Sequence, residues 1–157
     1  MAESAKKPRP FTATEERLFK RVVVAMSRVN TWIFRLSGGR FGARWMHGAP
    51  VMLLTTIGRK SGEARTTPLL YLEDGERVLL VGSQGGMSKN PLWVGNIDAD
   101  PNVEIQIGSS ARKMRGRRAS AEEKARYWPA LTRMYPDFAD YQARTTRDIP
   151  VIVLEPR

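Results

Sequence analysis

Cysteine is absent from this 157-residue chain, and histidine occurs once, as His47. Without thiols the chain has no disulfides or thiolate metal sites, and a single imidazole cannot assemble the usual zinc, iron or copper centres. A Ser-His-Asp triad would need His47 as its base, but no nucleophile motif accompanies it, so we interpret His47 as structural and expect no bound metal. A Walker A sequence and a G-x-G-x-x-G turn are also lacking, which disfavours nucleotide hydrolysis and dinucleotide binding.

Long apolar runs and a surplus of acidic residues are missing too. No stretch of about 18 apolar residues occurs, and the polar first residues do not resemble a signal peptide, so we expect a cytoplasmic protein. The length suits one domain, with 1–13 as a flexible N-terminus and 14–157 as a single unit. Because 26 Lys and Arg oppose 16 Asp and Glu, the net charge of +10 favours anionic partners.

An amphipathic, basic helix is predicted over 14–37. Thr12 and Glu15 have the spacing of a capping box at its start, and two glycines follow its end. Apolar residues recur on one face, and lysine and arginine gather on another. Two compatible interpretations stay open. The helix packs on the rest of the domain with a solvated cationic face, or it lies on the inner face of an anionic membrane with Trp32 and Phe34 near its margins.

From residue 49 the apolar pattern changes to that of strands. Hairpin signals and a proline at Pro68, expected on an edge strand, favour antiparallel pairing. A second capping box, Ser120 with Glu123, predicts a helix to about Met134, and "YPDFADYQART" predicts a short helix or turn. We therefore predict an α+β, mainly β fold: a small barrel spanning 49–157 with helices packed outside. The six predicted strands are "PVMLLTTIG", "ARTTPLLYLE", "RVLLVG", "VEIQI", "ARKMRGRRAS" and "IPVIVLE".

Two loops carry the signals for a ligand. "GRKSGEAR" places Arg59, Lys60 and Arg65 around a tight turn, where they suit phosphate or carboxylate oxygens. "GSQGGMSKNPLW" allows close backbone approach and leads into a helix, for which we predict Asn90 as the N-cap and Pro91 as the first residue. Each loop alone is equally typical of an ordinary turn. With metal and covalent chemistry disfavoured, the pair suits a protein that positions a reactive organic cofactor.

In combination, "GRKSG" and "GSQGG" followed by "KNPLW" resemble the coenzyme F420 (deazaflavin)-dependent nitroreductase family, a branch of the split β-barrel flavin and deazaflavin oxidoreductases. The similarity extends from about residue 49 to the C-terminus. It implies hydride transfer from reduced F420 to a quinone or nitro compound, and an N-terminal helix associated with membranes. The cofactor-binding residues that the resemblance implies are Arg59, Lys60, Arg65, Pro68, Ser83, Gln84, Gly85, Gly86, Lys89, Asn90, Trp93 and Asn96.

The acceptor side of the site is also implied by the resemblance. Ser83, Tyr135 and Tyr141 match the hydroxyls expected to face the cofactor, and are the predicted catalytic residues. Leu70 and Phe138 stand where tyrosines are expected in such relatives, so the predicted substrate pocket, which Tyr135 and Tyr141 also line, is more apolar here.

Other functions are compatible with parts of the same sequence. The same fold and site would serve a non-catalytic F420 carrier, or an FMN or haem protein on the same barrel. The stretch "ARKMRGRRAS" raises nucleic-acid binding, but no known motif supports it, so no nucleic-acid partner is expected. Whether the chain is a monomer or a dimer stays undecided.

Overall fold

The structure, a computed structural model, describes residues 8–157 as four α-helices and seven strands with two short 3₁₀ turns. The helices are α1 Ala13–Leu36, α2 Leu92–Ala99, α3 Ala121–Met134 and α4 Asp137–Arg144. The strands are β1 Val51–Ile57, β2 Ala64–Leu70, β3 Leu72–Asp74, β4 Arg77–Val81, β5 Asn102–Ile107, β6 Ser110–Arg118 and β7 Val151–Pro156. The 3₁₀ turns are Met46–Gly48 and Gln84–Gly86.

All strand pairings are antiparallel, in the order β2-β1-β5-β6-β7-β4-β3. About six strands were predicted and seven are present, because the stretch "ARTTPLLYLE" breaks at Tyr71. The amide of Tyr71 donates to the Pro50 carbonyl (3.3 Å), and the next residues turn away to pair with β4. The two outer strands of the sheet are thus joined by one residue, while no hydrogen bonds among residues 8–157 close the sheet. This is a split barrel, and Pro68 lies on its outer strand β2, as expected.

Apolar side chains of the sheet alternate between two core clusters. On β4, Val78 and Leu80 pack in one cluster with Trp93 of α2, whereas Leu79 and Val81 pack in the other. Strand β7 divides its residues in the same way, so both strands are buried on both faces. The second cluster contains Tyr135 and the end of α3, and it therefore brings the C-terminal helices to the sheet.

Helix α1 confirms the predicted helix to within one residue at each end. Its N-cap Thr12 and Glu15 form the predicted capping box. Only Phe34 of its 24 residues is buried, whereas Trp32 is 65% exposed. The placement of Phe34 near a membrane margin was therefore wrong, because its side chain packs inside the protein. No helix among residues 8–157 combines the length and the apolarity needed to cross a membrane.

The predicted flexible N-terminus falls partly outside the structure. Residues 1–7 lie outside the described residues, while Arg9 forms an ion pair with Glu15 at 2.5 Å.

The capping box of α3 provides a test of pH-dependent stability. The Glu123 carboxylate accepts from the Ser120 amide (2.9 Å) and from the Arg117 guanidinium (2.8 Å). Arg117 first, and the Ser120 amide second, lower the pKa of Glu123 from 4.5 to about 2. Because the folded pKa is depressed, this stabilisation is complete above about pH 4.5 and is lost as the pH falls towards 2.

We therefore expect Glu123→Gln to lower Tm at pH 7 by roughly 3 to 6 °C, the equivalent of about 1 to 2 kcal/mol. The difference from wild type should shrink between pH 4.5 and 2. Glu122→Gln, one residue earlier on the exposed side of α3, is the matched control and should leave Tm nearly unchanged. Thermal unfolding by circular dichroism across this pH range measures the difference. Because glutamine can also accept from the N-cap amide, an equal shift in both variants would contradict the role of the Glu123 charge and its pair with Arg117.

Candidate cofactor site

The turn between β1 and β2 presents two cations to solvent. The Gly58 amide donates to the Glu63 carbonyl (2.8 Å), and the Gly62 amide donates to the Gly58 carbonyl (2.7 Å), which tightens the loop and leaves Arg59 and Lys60 at its tip. Arg65, the third predicted cation, instead forms an ion pair with Glu63 at 2.6 Å. Its charge is therefore partly neutralised, and Arg59 and Lys60 are the stronger anion-binding groups.

Helix α2 holds this turn in place. The buried amide of Asn96 accepts from the Arg59 backbone N–H (3.1 Å) and donates to the Thr56 hydroxyl (3.0 Å). The Arg59 guanidinium lies against the backbone of Gly95, so close that a Cβ there would be 2.9 Å from Cζ and nearer still to Nη1. Gly95 is therefore needed to give the Arg59 side chain its position.

The glycine loop after β4 has an unusual backbone. Gln84, Gly85 and Gly86 have successive φ values of +45°, +64° and +78°, in the left-handed region that non-glycine residues rarely adopt. A Cβ on Gly86 would lie 2.6 Å from the Tyr141 carbonyl oxygen, so the loop packs directly on α4. The side-chain oxygen of Gln84 is buried, and no residue of 8–157 donates to it. A strained residue with an unsatisfied buried polar atom is typical of a ligand site.

The loop leads into α2 differently from the prediction. The N-cap is Pro91 and the helix begins at Leu92, so the assignment of Asn90 as N-cap was wrong. The Asn90 side chain instead accepts from the Arg147 guanidinium at 2.7 Å, and this tertiary contact takes the oxygen that would have capped the helix. Lys89 is exposed. Trp93 is only 6% exposed and packs in the core.

Helix α1 bridges two parts of the site. Near its start, the Glu16 carboxylate accepts from the Ser88 amide (2.7 Å) and hydroxyl (2.9 Å) of the glycine loop. Near its end, Arg35 donates to the Thr66 hydroxyl of β2 at 2.9 Å. At 1.5 Å per residue, the helix between these contacts spans about 28 Å. Sequence reasoning missed both contacts, because residues on an amphipathic helix give no signal of a polar partner far along the chain.

The predicted catalytic tyrosines meet on the other side of the loop. The hydroxyls of Tyr135 and Tyr141 are 3.2 Å apart, and the Phe138 ring packs edge-on against Tyr135 with centroids 5.0 Å apart. Leu70 packs against the same cluster. Tyr135 is 2% exposed; burial first, and its bond to Tyr141 second, raise its pKa well above the ordinary value of 10. His47 stacks edge-on against Tyr135 and lies 3.5 Å from Asp137, which fits a structural role.

Contacts join the predicted residues into one line. Arg59 contacts α2 through Gly95 and Asn96, α2 continues from the glycine loop, and the loop packs on α4 at Tyr141. Ser83 is buried in the loop. Pro68 lies on β2 beside the Thr66 contact of α1. Sequence reasoning missed the other groups that take part in these contacts: Glu16, Thr56, Gly95, Arg144 and Arg147.

The polar groups along this line, both donors and an acceptor, fit an extended anionic cofactor that ends in a polar ring. Cations at one end suit phosphate or carboxylate groups, and the buried Gln84 oxygen and strained loop suit a ring with hydrogen-bonding edges. No cluster of three metal-ligating side chains occurs among residues 8–157. The fold and site together define a split-barrel protein that binds an anionic organic cofactor.

Comparison with known proteins agrees with that class. The family model described as F420H(2)-dependent quinone reductase matches residues 26–156. An F420H(2)-dependent quinone reductase of Mycobacterium tuberculosis is 36% identical over 143 residues, which cover 89% of this chain and 96% of the relative. The chain therefore belongs to the F420H(2)-dependent quinone reductase family.

Solved structures are similar as well. A structure described as an F420-H2 dependent reductase (FDR-A) is 37% identical, with a TM-score of 0.63, over 68% of this chain and 94% of that one. A second, described as a domain-swapped dimer, is 34% identical with a TM-score of 0.65, over 82% of this chain and 96% of that one. The split-barrel fold predicted from the sequence is confirmed.

Proposed function

We propose that this chain is an F420H2-dependent reductase that holds its cofactor along the line from Arg59 to the tyrosine pair and delivers a hydride to a quinone. The observation that carries the proposal is the unbroken chain of contacts between the cationic turn, α2, the glycine loop and α4, in a member of this family. When bound, reduced F420 supplies the hydride. The protein's own residues bind, orient and shield it.

The cationic turn anchors the anionic tail of the cofactor. Arg59 offers a planar fork for a phosphate, and Lys60 offers a mobile charge for the glutamate carboxylates. Arg65 contributes less, because Glu63 already pairs with it. These interactions supply affinity without touching the reacting ring, so their loss affects binding far more than the chemical step.

The glycine loop and the tyrosines act at the reacting end. The loop from Ser83 to Gly86 approaches the ring closely because glycine lacks a Cβ. As the acceptor gains negative charge, the Tyr141 hydroxyl donates a hydrogen bond to its oxygen, while Tyr135 fixes the orientation of Tyr141. Leu70 and Phe138 make this pocket apolar, which favours a quinone ring over the more polar nitro compounds. Nitroaromatics, which also accept a hydride, are the second class of acceptor.

Titration of the protein with oxidised F420, and in parallel with FMN, tests the proposal through quenching of tryptophan fluorescence. We expect saturable binding of F420 and much weaker binding of FMN. Turnover of menadione with F420H2 then separates a reductase from a non-catalytic carrier. Preference for FMN would overturn the cofactor assignment, and F420 binding without turnover of any quinone would assign a carrier.

Helix α1 adds a proposed membrane contact. Its apolar face is exposed, and Arg17, Lys20, Arg21 and Arg28 beside it form no ion pair with any of residues 8–157. An exposed apolar face flanked by unpaired cations suits the surface of an anionic bilayer, from which a lipid-soluble quinone would be taken.

Sedimentation with lipid vesicles tests this contact. We expect binding to vesicles that contain phosphatidylglycerol but not to pure phosphatidylcholine. Reversal of two charges in Arg21→Glu/Arg28→Glu should weaken binding at least about tenfold, at about 1 kcal/mol per cation. Arg133→Glu on α3 is the control. If the wild-type protein does not bind anionic vesicles and light scattering shows a dimer, the apolar face of α1 is a contact between two copies of the chain instead.

A further inference from the structure

Arg147, in the connection between α4 and β7, is the most extensively hydrogen-bonded arginine near the site, and neither the sequence motifs nor the proposed function accounts for it. Its guanidinium donates to four oxygen atoms of the glycine loop and forms no ion pair with any of residues 8–157. These acceptors are the carbonyls of Gly82 (3.2 Å), Ser83 (2.6 Å) and Met87 (2.8 Å) and the side chain of Asn90 (2.7 Å).

The carbonyls that Arg147 gathers determine where the loop amides point. In a trans peptide the C=O of one residue and the N–H of the next are antiparallel, and no described peptide bond is cis. The amides of Ser83, Gln84 and Ser88 therefore point away from Arg147. The Ser88 amide confirms the reasoning, because it donates to an anion, the Glu16 carboxylate, at 2.7 Å.

The other two amides have no such partner. Neither the Ser83 nor the Gln84 N–H donates to an acceptor within residues 8–157, and Gln84 also carries the buried unsatisfied side-chain oxygen. The two unpartnered amides, beside the half-buried Arg147 guanidinium, form a donor surface of the kind that binds anions and carbonyl oxygens. Burial lowers the pKa of Arg147, and the Glu16 charge opposes this shift. Arginine is protonated in proteins at neutral pH, so a positive charge lies beside these amides.

We propose that Arg147 is a positioning residue of the cofactor site. By holding the carbonyls of Gly82, Ser83 and Met87 on one side of the loop, it presents the Ser83 and Gln84 amides to the ring end of F420. Arg144 assists with one bond to the Gly85 carbonyl at 3.0 Å. The inference rests on the proposed function, because it assigns these amides to F420.

The test compares Arg147→Gln, Arg147→Lys and, as control, Arg133→Gln, which removes an exposed arginine from α3. Three experiments are made: titration for the Kd of oxidised F420, steady-state kinetics for kcat and KM with F420H2 and menadione, and amide hydrogen exchange without cofactor. We expect Arg147→Gln to raise Kd and KM about tenfold or more, because misplaced binding groups are costly. Exchange should accelerate over 83–89 and stay unchanged in β1 and β7, and kcat should change little.

Lysine keeps the positive charge but lacks the planar guanidinium that donates to four oxygens. Arg147→Lys should therefore recover only part of the affinity for F420. Full recovery of wild-type Kd in Arg147→Lys, or wild-type Kd and exchange in Arg147→Gln, would overturn the proposal. Uniform acceleration of exchange across the sheet would also overturn it, since that marks a general loss of stability. If wild type itself fails to bind F420, the proposed function fails instead, and exchange over 83–89 still decides whether Arg147 orders the loop.

If Arg147→Gln does not fold, a second variant tests the same contact. Asn90→Ala removes one of the four acceptors and leaves the guanidinium in place. We expect a smaller rise in Kd and faster exchange confined to 83–89. Wild-type values for both would overturn the proposal.

Discussion

Replacing Arg59 by alanine is expected to raise the Kd for F420 by roughly ten- to a hundredfold, the loss of one charge-assisted, two-pronged contact with a phosphate. At saturating F420H2, kcat should fall by less than about threefold, because the tail lies away from the reacting ring. Fluorescence titration and steady-state kinetics separate the two effects. Arg115→Ala, which removes an exposed charge from β6, should bind F420 as wild type does.

Gly95→Ala tests the same side chain without changing its charge. A Cβ on Gly95 cannot coexist with the observed Arg59 guanidinium, so the arginine must move while the turn stays bonded to Asn96. We expect Kd to rise about tenfold, close to the lower bound for Arg59→Ala. Tm should not fall, because alanine is favoured over glycine inside a helix by about 1 kcal/mol. Unchanged affinity in both variants would remove Arg59 from the site.

Replacing Tyr141 by phenylalanine is expected to lower kcat for quinone reduction by about ten- to a hundredfold, with the Kd for F420 within about twofold of wild type. Tyr141 is half-buried and Tyr135 is enclosed, so the hydroxyl of Tyr141 is the one within reach of an acceptor. Tyr135→Phe should have a smaller effect, because it removes only the partner that orients Tyr141.

The control is Tyr71→Phe, since Tyr71 packs on the other core cluster. Single-turnover oxidation of bound F420H2 by menadione measures the chemical step directly. Because burial raises the pKa of Tyr135 above 10, this hydroxyl stays protonated at neutral and mildly alkaline pH, and its ionisation should not limit the rate there. Equal rates in Tyr141→Phe and wild type would exclude hydroxyl assistance.

The count of basic residues in the sequence overestimates the positive charge of one strand, β6. The stretch "ARKMRGRRAS", which raised nucleic-acid binding, forms β6. Arg112 pairs with Glu73 and Arg118 with Asp98, while Arg117 pairs with two glutamates. Carboxylates brought from elsewhere in the chain thus neutralise much of this strand. By contrast, the cations of α1 and of the Arg59 turn remain exposed.

Local patterns were sufficient for most of the fold. Both capping boxes formed because Thr12 with Glu15, and Ser120 with Glu123, satisfy amides only three residues away. Strand alternation and hairpin turns also act over a few residues, so the strands and their antiparallel pairing were predictable. The break at Tyr71 was not, because it depends on Pro50, which is distant in sequence and gives no local signal.

The sequence by itself determined the elements, the basic turn, the glycine loop and the resemblance that joined them, since residue type and spacing alone govern caps, turns and amphipathic faces. Only the tertiary structure decided how these parts meet. The Arg59 guanidinium lies against the backbone of Gly95, and Asn90 bonds to Arg147 and does not cap α2. The apolar face of α1 is exposed. Such contacts join residues far apart in the chain, and their energies depend on a geometry that exists only once the sheet has curled.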